Sequence, residues 1–170
     1  MSEKLPISMR INGEPTDSYA APRETLADFL RGDVQFSGTH LGCEMGACGA
    51  CLVLLDGLPV HACLMFAVQA DGANIETIEG LSDRGVIADI QKAFHERNAL
   101  QCGFCTPGIL IAAHHLLRTM QNPSREVIRD ALSGNYCRCT GYVAIVDAIE
   151  EVSTSRREPV VARLIEKAEP

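Results

Sequence analysis

Apolar and polar residues change rhythm near the middle of this chain. In the first part the period is two: Leu5, Ile7, Met9 and Ile11 share one face of an extended segment, Asn12-Gly13 is a strong hairpin-turn signal, and a second strand is expected near Thr16 to Ala20. Leu26, Phe29 and Leu30 form an i, i+3, i+4 stripe on a short helix, Leu26 to Arg31, with Thr25 as its cap and Gly32 as its stop. Leu52 to Leu55 reads as a buried strand, Asp56-Gly57 as its turn, Pro59 to Cys63 as the return, and Asn74 to Ile78 as a last short strand. From Leu81 the period becomes 3.6. Val86, Ile87, Ile90, Ala93, Phe94 and Arg97 outline one helix face, and Thr106 with Pro107 should open a second helix as cap and first position. Ser124 can cap a third, Arg125 to Leu132, ended by Gly134, and Thr140-Gly141 precedes a fourth, Tyr142 to Val152. The pattern predicts an α+β chain: a small mixed sheet with one helix over residues 1–81, a helix bundle over 82–155, a join near Gly80 to Gly85, and a charged C-terminal extension over 156–170.

The chain has 170 residues, 46% of them apolar and 22% charged, a globular composition. The longest apolar stretch, Gly108 to Leu117, is short and carries His114 and His115, so no membrane span is expected. The opening Met1-Ser2-Glu3-Lys4-Leu5-Pro6-Ile7 has none of the marks of an export signal, and a cytoplasmic location follows as the expectation. With 15 basic against 22 acidic residues, a net charge of -7 and no Trp, nucleic acid is a poor partner.

Eight cysteines change the picture. They are too dilute for a secreted disulfide scaffold, and a cytosolic setting is reducing, so metal or redox chemistry is the better reading. Cys43, Cys48, Cys51 and Cys63 fall before residue 64; Cys102, Cys105, Cys137 and Cys139 fall after residue 101. Two sites are implied. Cys43-x4-Cys48-x2-Cys51 with Cys63 later is the plant-type spacing of a [2Fe-2S] cluster. Gly38, Gly42, Gly46 and Gly49, with Ala47 and Ala50, suit it, because larger side chains would keep backbone N–H dipoles away from the anionic sulfurs. A structural zinc site would favour paired knuckles and would not ask for so many glycines, and a disulfide reading would need an oxidising compartment. In the second set, Cys102-x2-Cys105 and Cys137-x-Cys139 each sit just before a helix, which puts four thiolates at two helix N-termini, a place that favours an anion such as a second cluster. Zinc would also fit four thiolates, although Cys-x-Cys is awkward around one tetrahedral ion.

Three stretches carry a resemblance. Thr39-His40-Leu41-Gly42-Cys43-Glu44-Met45-Gly46-Ala47-Cys48-Gly49-Ala50-Cys51, Gln101-Cys102-Gly103-Phe104-Cys105-Thr106-Pro107-Gly108 and Gly134-Asn135-Tyr136-Cys137-Arg138-Cys139-Thr140-Gly141-Tyr142 resemble the signatures of the small iron–sulfur subunit of molybdenum hydroxylases, the xanthine oxidase family. The likeness spans roughly Ile7 to Val152 and leaves out the first few residues and the tail after Ser153. Cys63-Leu64-Met65-Phe66-Ala67-Val68-Gln69-Ala70 is similar to the carbon monoxide dehydrogenase and N-heterocycle dehydrogenase branches.

The resemblance implies a plant-type ferredoxin-like (β-grasp) N-terminal domain followed by an all-α four-helix-bundle domain, each with one [2Fe-2S] cluster. It implies that the chain is an electron-transfer subunit. Electrons would come from a molybdopterin cofactor, as the cytosine dinucleotide, on a large subunit, and leave to FAD on a medium subunit or to another acceptor, in a heterotrimer or its dimer. The substrate class would be an aldehyde, an N-heteroaromatic compound or carbon monoxide. By the same likeness Gln101 and Cys139 match positions that touch the pterin; the alternative for Gln101, from the residue alone, is a helix-terminus cap. A free-standing two-cluster ferredoxin is the rival function, and a zinc-stapled interaction module is another.

Other conspicuous residues are read as structural. His114 and His115, adjacent on a helix, point about 100° apart and cannot share one ion. His40 and His61 lie near the first set, but four cysteines already fill it, which leaves little room for a Rieske-type centre. Arg138, between two ligands, either offsets cluster charge or faces solvent. Met45 and Met65 are expected to pack. Asp56, Asp71, Glu76 and Glu79 fall at turns or exposed strand faces with no pairing that suggests acid–base work.

Overall fold

A computed structural model of the chain describes residues 3–156, so the extension expected over 156–170 lies, beyond Arg156, outside the described residues. The opening hairpin forms as its pattern predicts. Strand β1 (Leu5–Ile11) pairs antiparallel with β2 (Glu14–Ala20) in a register that sets Ile11 against Glu14, and Asn12 and Gly13 turn the chain with φ of 55° and 93°. Helix α1 (Leu26–Gly32) follows, and Thr25 Oγ1 accepts from the Asp28 N–H at 3.1 Å, the expected cap. The sheet is completed by β3 (Leu52–Leu55), β4 (Leu58–His61) and β5 (Asn74–Glu76), in the order β2-β1-β5-β3-β4. Only the β1–β5 pairing is parallel; the other strands are antiparallel.

The apolar run of β3 explains how the two halves meet. Val53 points to one side, into a core of Ile7, Met9, Ile11, Leu26, Phe29, Leu30 and Ile75. Leu52 and Leu54 point to the other, into the core of the helices. A strand covered on both faces needs apolar residues at consecutive positions. The helices are α2 (Ile78–Asp83), α3 (Ala88–Glu96), α4 (Thr106–Thr119), α5 (Arg125–Ala131) and α6 (Val143–Ser155). Helix α4 is central, packed on β3 and β4 as well as on α2, α3 and α5, while α6 lies against α3 and α5. Phe94, Ile109, Ile111, Ile128, Ile145 and Ile149 close this core. Burying one such side chain contributes about 1.5–3 kcal/mol. Arg125 bridges α5 to Asp147 and Glu150 of α6 at 2.6 and 2.5 Å, an exposed tie that adds little beside the core.

The structure departs from the pattern at three places. Helix α2 was not expected: the strand ends at Glu76, and Thr77 is pinned by Asn12, whose Oδ1 accepts from the Thr77 N–H at 2.8 Å and whose Nδ2 donates to Thr77 Oγ1 at 3.0 Å. A turn residue distant in sequence thus ends the strand. Helix α3 begins at Ala88 rather than Val86, because Gly85 takes a positive φ of 67° and Val86 stays exposed. The cap of α4 is Cys105, one position earlier than expected, so Thr106 and Pro107 lie inside the first turn. Among the described residues no helix is long and apolar enough to cross a membrane.

Candidate metal centres

Two loops and two turns carry the cysteines. Cys43, Cys48 and Cys51 lie on the irregular segment between α1 and β3, and Cys63 follows β4 in a short 3-10 turn, Ala62–Leu64. Cys51 and Cys63 are buried, Cys43 and Cys48 half-buried. In the second set Cys102 and Cys105 precede and cap α4, and Cys137 and Cys139 lie in the turn before α6; Cys105 is buried, Cys137 half-buried, and Cys102 and Cys139 are exposed.

The sulfurs stand in twos. Cys139 Sγ lies 3.5 Å from Cys102 Sγ, and Cys105 is in hydrogen-bond contact with Cys137. In the first set Cys43 is in contact with Cys48, and Cys51 with Cys63. Among the described residues no three Cys, His, Asp or Glu side chains gather around one point. One tetrahedral ion needs all four sulfurs about a single centre, whereas a two-iron cluster takes two on each iron. The paired thiols therefore fit a [2Fe-2S] group.

The surroundings fit an anionic group as well. The backbone N–H groups of Met45 and Ala47 donate to Cys43 Sγ at 3.5 and 3.3 Å, and chiefly the Met45 bond brings this thiol down to about 7. Burial pushes Cys51 up to about 12, and burial with the neighbouring Cys137 thiol does the same to Cys105. For Cys137 burial works upward, but the Thr140 hydroxyl and nearby amides outweigh it and the thiol is lowered. The Cys102 thiol raises Cys139. A β-carbon on Gly42 would stand 3.2 Å from Cys48 Sγ and 3.3 Å from the Phe104 ring, so the first loop is closed down against both a sulfur and the second set.

Direct contacts join the sets. The Tyr136 N–H donates to the Cys48 carbonyl at 2.9 Å, and buried Asn135 donates from Nδ2 to the Gly49 carbonyl at 3.2 Å. His40 stacks on Phe104 with ring centroids 4.8 Å apart and donates from Nδ1 to the Phe104 carbonyl at 2.7 Å. Gly49 has φ of 70°, and a β-carbon there would strike Asn135; a β-carbon on Gly108 would strike the Gly49 carbonyl. Only glycines let α4 and the first loop approach this closely.

Sequence reading found the eight thiols but not the contacts of His40, Phe104 and Asn135, because contacts across 64 or 86 residues leave no local signal. Met45 does not pack as expected and is 72% exposed, whereas Met65 does pack against the sheet core. His114 is buried, Arg138 is exposed, and Gln101, also exposed, donates from Nε2 to the Cys139 carbonyl at 3.1 Å. The carboxylates do structural work: Asp56 accepts from the Asn74 N–H, Asp71 from the Ser8 N–H and Glu79 from the Gly38 N–H.

Residues 9–77 match the family described as 2Fe-2S iron-sulfur cluster binding domain, and residues 77–150 match the [2Fe-2S] binding domain. The gamma subunit of caffeine dehydrogenase from Pseudomonas sp. (strain CBB1) is 47% identical over 150 residues, covering 86% of this chain and 90% of that one. The small subunit of nicotine 6-hydroxylase from Paenarthrobacter nicotinovorans is 49% identical over 148 residues, covering 87% and 89%. Among solved structures, quinoline 2-oxidoreductase from Pseudomonas putida 86 superposes with a TM-score of 0.86 at 48% identity, covering 91% of this chain and 96% of its counterpart. This chain belongs to the small iron–sulfur subunits of the molybdenum hydroxylases. As such a subunit it transfers electrons within a multi-subunit oxidoreductase and carries iron–sulfur clusters. The ferredoxin-like expectation for the sheet half agrees with the match over residues 9–77.

Proposed function

We propose that this subunit accepts electrons from a molybdopterin centre on a large partner at the Cys102, Cys105, Cys137, Cys139 set. They pass to the Cys43, Cys48, Cys51, Cys63 set and leave to FAD on a medium subunit or to another acceptor. When bound, each [2Fe-2S] cluster takes up and releases one electron. The observation that carries this reading is the layout: two four-thiol sets, joined by three direct contacts, with one pair of thiols at the surface of the second set and Met45 exposed at the first.

The chain's own residues supply position and charge. Cys139 and Cys102 form the exposed edge of the second set, where a partner's cofactor can come within contact. Gln101 is held beside them by the Cys139 carbonyl, which leaves its side-chain oxygen to accept from a pterin N–H. Buried Cys51, Cys63 and Cys105 keep water from the inner side of each set. The fold divides on this reading into a β-grasp unit over 1–81 and a four-helix unit over 82–155, with α2 as the join. The assembly is a cytoplasmic heterotrimer or its dimer, with the cofactor as the cytosine dinucleotide. Caffeine, nicotine and quinoline in the relatives' names favour an N-heteroaromatic substrate over an aldehyde or carbon monoxide.

Purification of the tagged chain from its own host, followed anaerobically by visible absorption, tests the reading. Bleaching on adding an N-heteroaromatic compound, with molybdenum in the preparation, supports it. A coloured chain that comes alone and bleaches only with dithionite would instead mean a free ferredoxin.

A further inference from the structure

We propose that Thr140 sets the reduction potential of the second cluster by donating its hydroxyl proton to Cys137 Sγ, and that the left-handed turn at Gly141-Tyr142 serves to hold that bond. The inference rests on the assignment of Cys102, Cys105, Cys137 and Cys139 to a [2Fe-2S] cluster. Thr140 Oγ1 lies 3.1 Å from Cys137 Sγ. Among the described residues it is the one hydroxyl that donates to a cysteine sulfur; Cys43 receives backbone amides, and Cys139 contacts another thiol.

The proton is committed to that sulfur by what surrounds the oxygen. The Tyr142 N–H donates to Thr140 Oγ1 at 3.3 Å, so the hydroxyl accepts there and gives its single proton to Cys137. That N–H reaches back because Gly141 and Tyr142 have φ of 67° and 68°. A bulky residue rarely adopts such a conformation, and it persists only where surrounding contacts impose it. The imposing contacts are made by its own ring: the Tyr142 phenol accepts from the Cys137 N–H at 2.7 Å and donates to the Asn135 carbonyl at 3.1 Å. Phenol and hydroxyl thus grip Cys137 by its backbone and its sulfur. Thr106, which follows Cys105 as Thr140 follows Cys139, lies within the first turn of α4 instead.

Reduction adds one negative charge, and a donor on a ligand sulfur stabilises the reduced form more than the oxidised one. Losing it lowers the potential of this cluster alone. The equilibrium sharing of an electron between the two clusters should shift toward the first by roughly tenfold, which for a one-electron couple is ~59 mV.

The experiment is an anaerobic redox titration of the purified complex followed by electron paramagnetic resonance, for the unaltered protein, Thr140→Val, Thr140→Ala and Thr140→Ser. Val and Ala should lower one cluster potential and leave the other unmoved, with unchanged iron content, and Ser should restore the original value. Unmoved potentials in fully loaded Val or Ala variants, or a Ser variant displaced as far as Val, would overturn the proposal. In the unaltered protein, exchange into D2O should shift an Fe–S(Cys) stretching band in the resonance Raman spectrum, and a spectrum without a shift would also overturn it. A preparation of the unaltered complex with only one cluster signal, or none, would overturn the cluster assignment itself.

Discussion

Cys43 and Cys139 show how one residue type serves two purposes in this molecule. Cys43 is held near a pKa of about 7 by amide hydrogen bonds in a glycine-rich loop, while Cys139 lies at the surface in contact with Cys102. Replacing either should remove one cluster and spare the other. For Cys43→Ser, iron should fall from about four atoms to about two per chain, with one of two electron paramagnetic resonance signals lost. For Cys139→Ser, the surviving signal should be the other one, and turnover of the complex should stop; loss of both signals in either variant would contradict two independent sites. Gln101→Ala keeps every thiol and should leave both signals intact while lowering molybdenum retention by the complex roughly tenfold, the effect of about one hydrogen bond. Equal molybdenum in the variant and the parent would remove Gln101 from the contact surface.

Helix α4 is the element on which both sites depend. It carries Cys105 at its start, packs on β3 and β4, and meets the first loop where Gly108 touches the Gly49 carbonyl. Gly108→Ala, a single added methyl, should therefore cost about 1–3 kcal/mol, read as a lower thermal midpoint of the loaded protein, because backbone rather than a flexible side chain must yield. The same helix buries His114. Burial, with Arg118 and Arg156 nearby, holds its imidazole below the ordinary 6.5. The folded chain thus binds this proton only at lower pH than the unfolded chain does. Between the depressed folded value and 6.5 the unfolded state carries more protons, so this stability is present above 6.5 and is lost as pH falls through that window. His114→Leu should flatten the difference in urea stability between about pH 7.5 and about pH 5.5. An unchanged difference would place the pH sensitivity elsewhere.

The whole molecule is a pair of thiol sites joined back to back, with one exposed thiol pair beside Gln101 and an exposed Met45 at the first set. The contacts between the sites are few and specific: Asn135 to Gly49, Tyr136 to Cys48, and His40 on Phe104. Loosening them should separate the clusters without unloading them. His40→Ala combined with Phe104→Ala should keep full iron content but weaken the magnetic interaction between the two reduced clusters in electron paramagnetic resonance; an unaltered interaction would show that the His40–Phe104 stack is not needed to hold the sites together.

Much of this was readable along the chain because it is local. Period-two alternation, the Asn12-Gly13 turn, the Thr25 and Ser124 caps and the spacing of the eight thiols each depend on residues within a few positions of one another. The capped helices and the hairpin formed accordingly. What spacing could not carry was set by contacts between distant segments. Asn12 ends β5 by bonding Thr77, sixty-five residues away, and so opens an unexpected helix. His40 meets Phe104, and Asn135 meets Gly49, in a fold in which β3 is packed between the sheet core and the helices. Local preference acts through neighbouring backbone angles, which a sequence displays; the pairing of two cysteine sets depends on which surfaces meet when the apolar faces are buried, and that is settled by the packed fold.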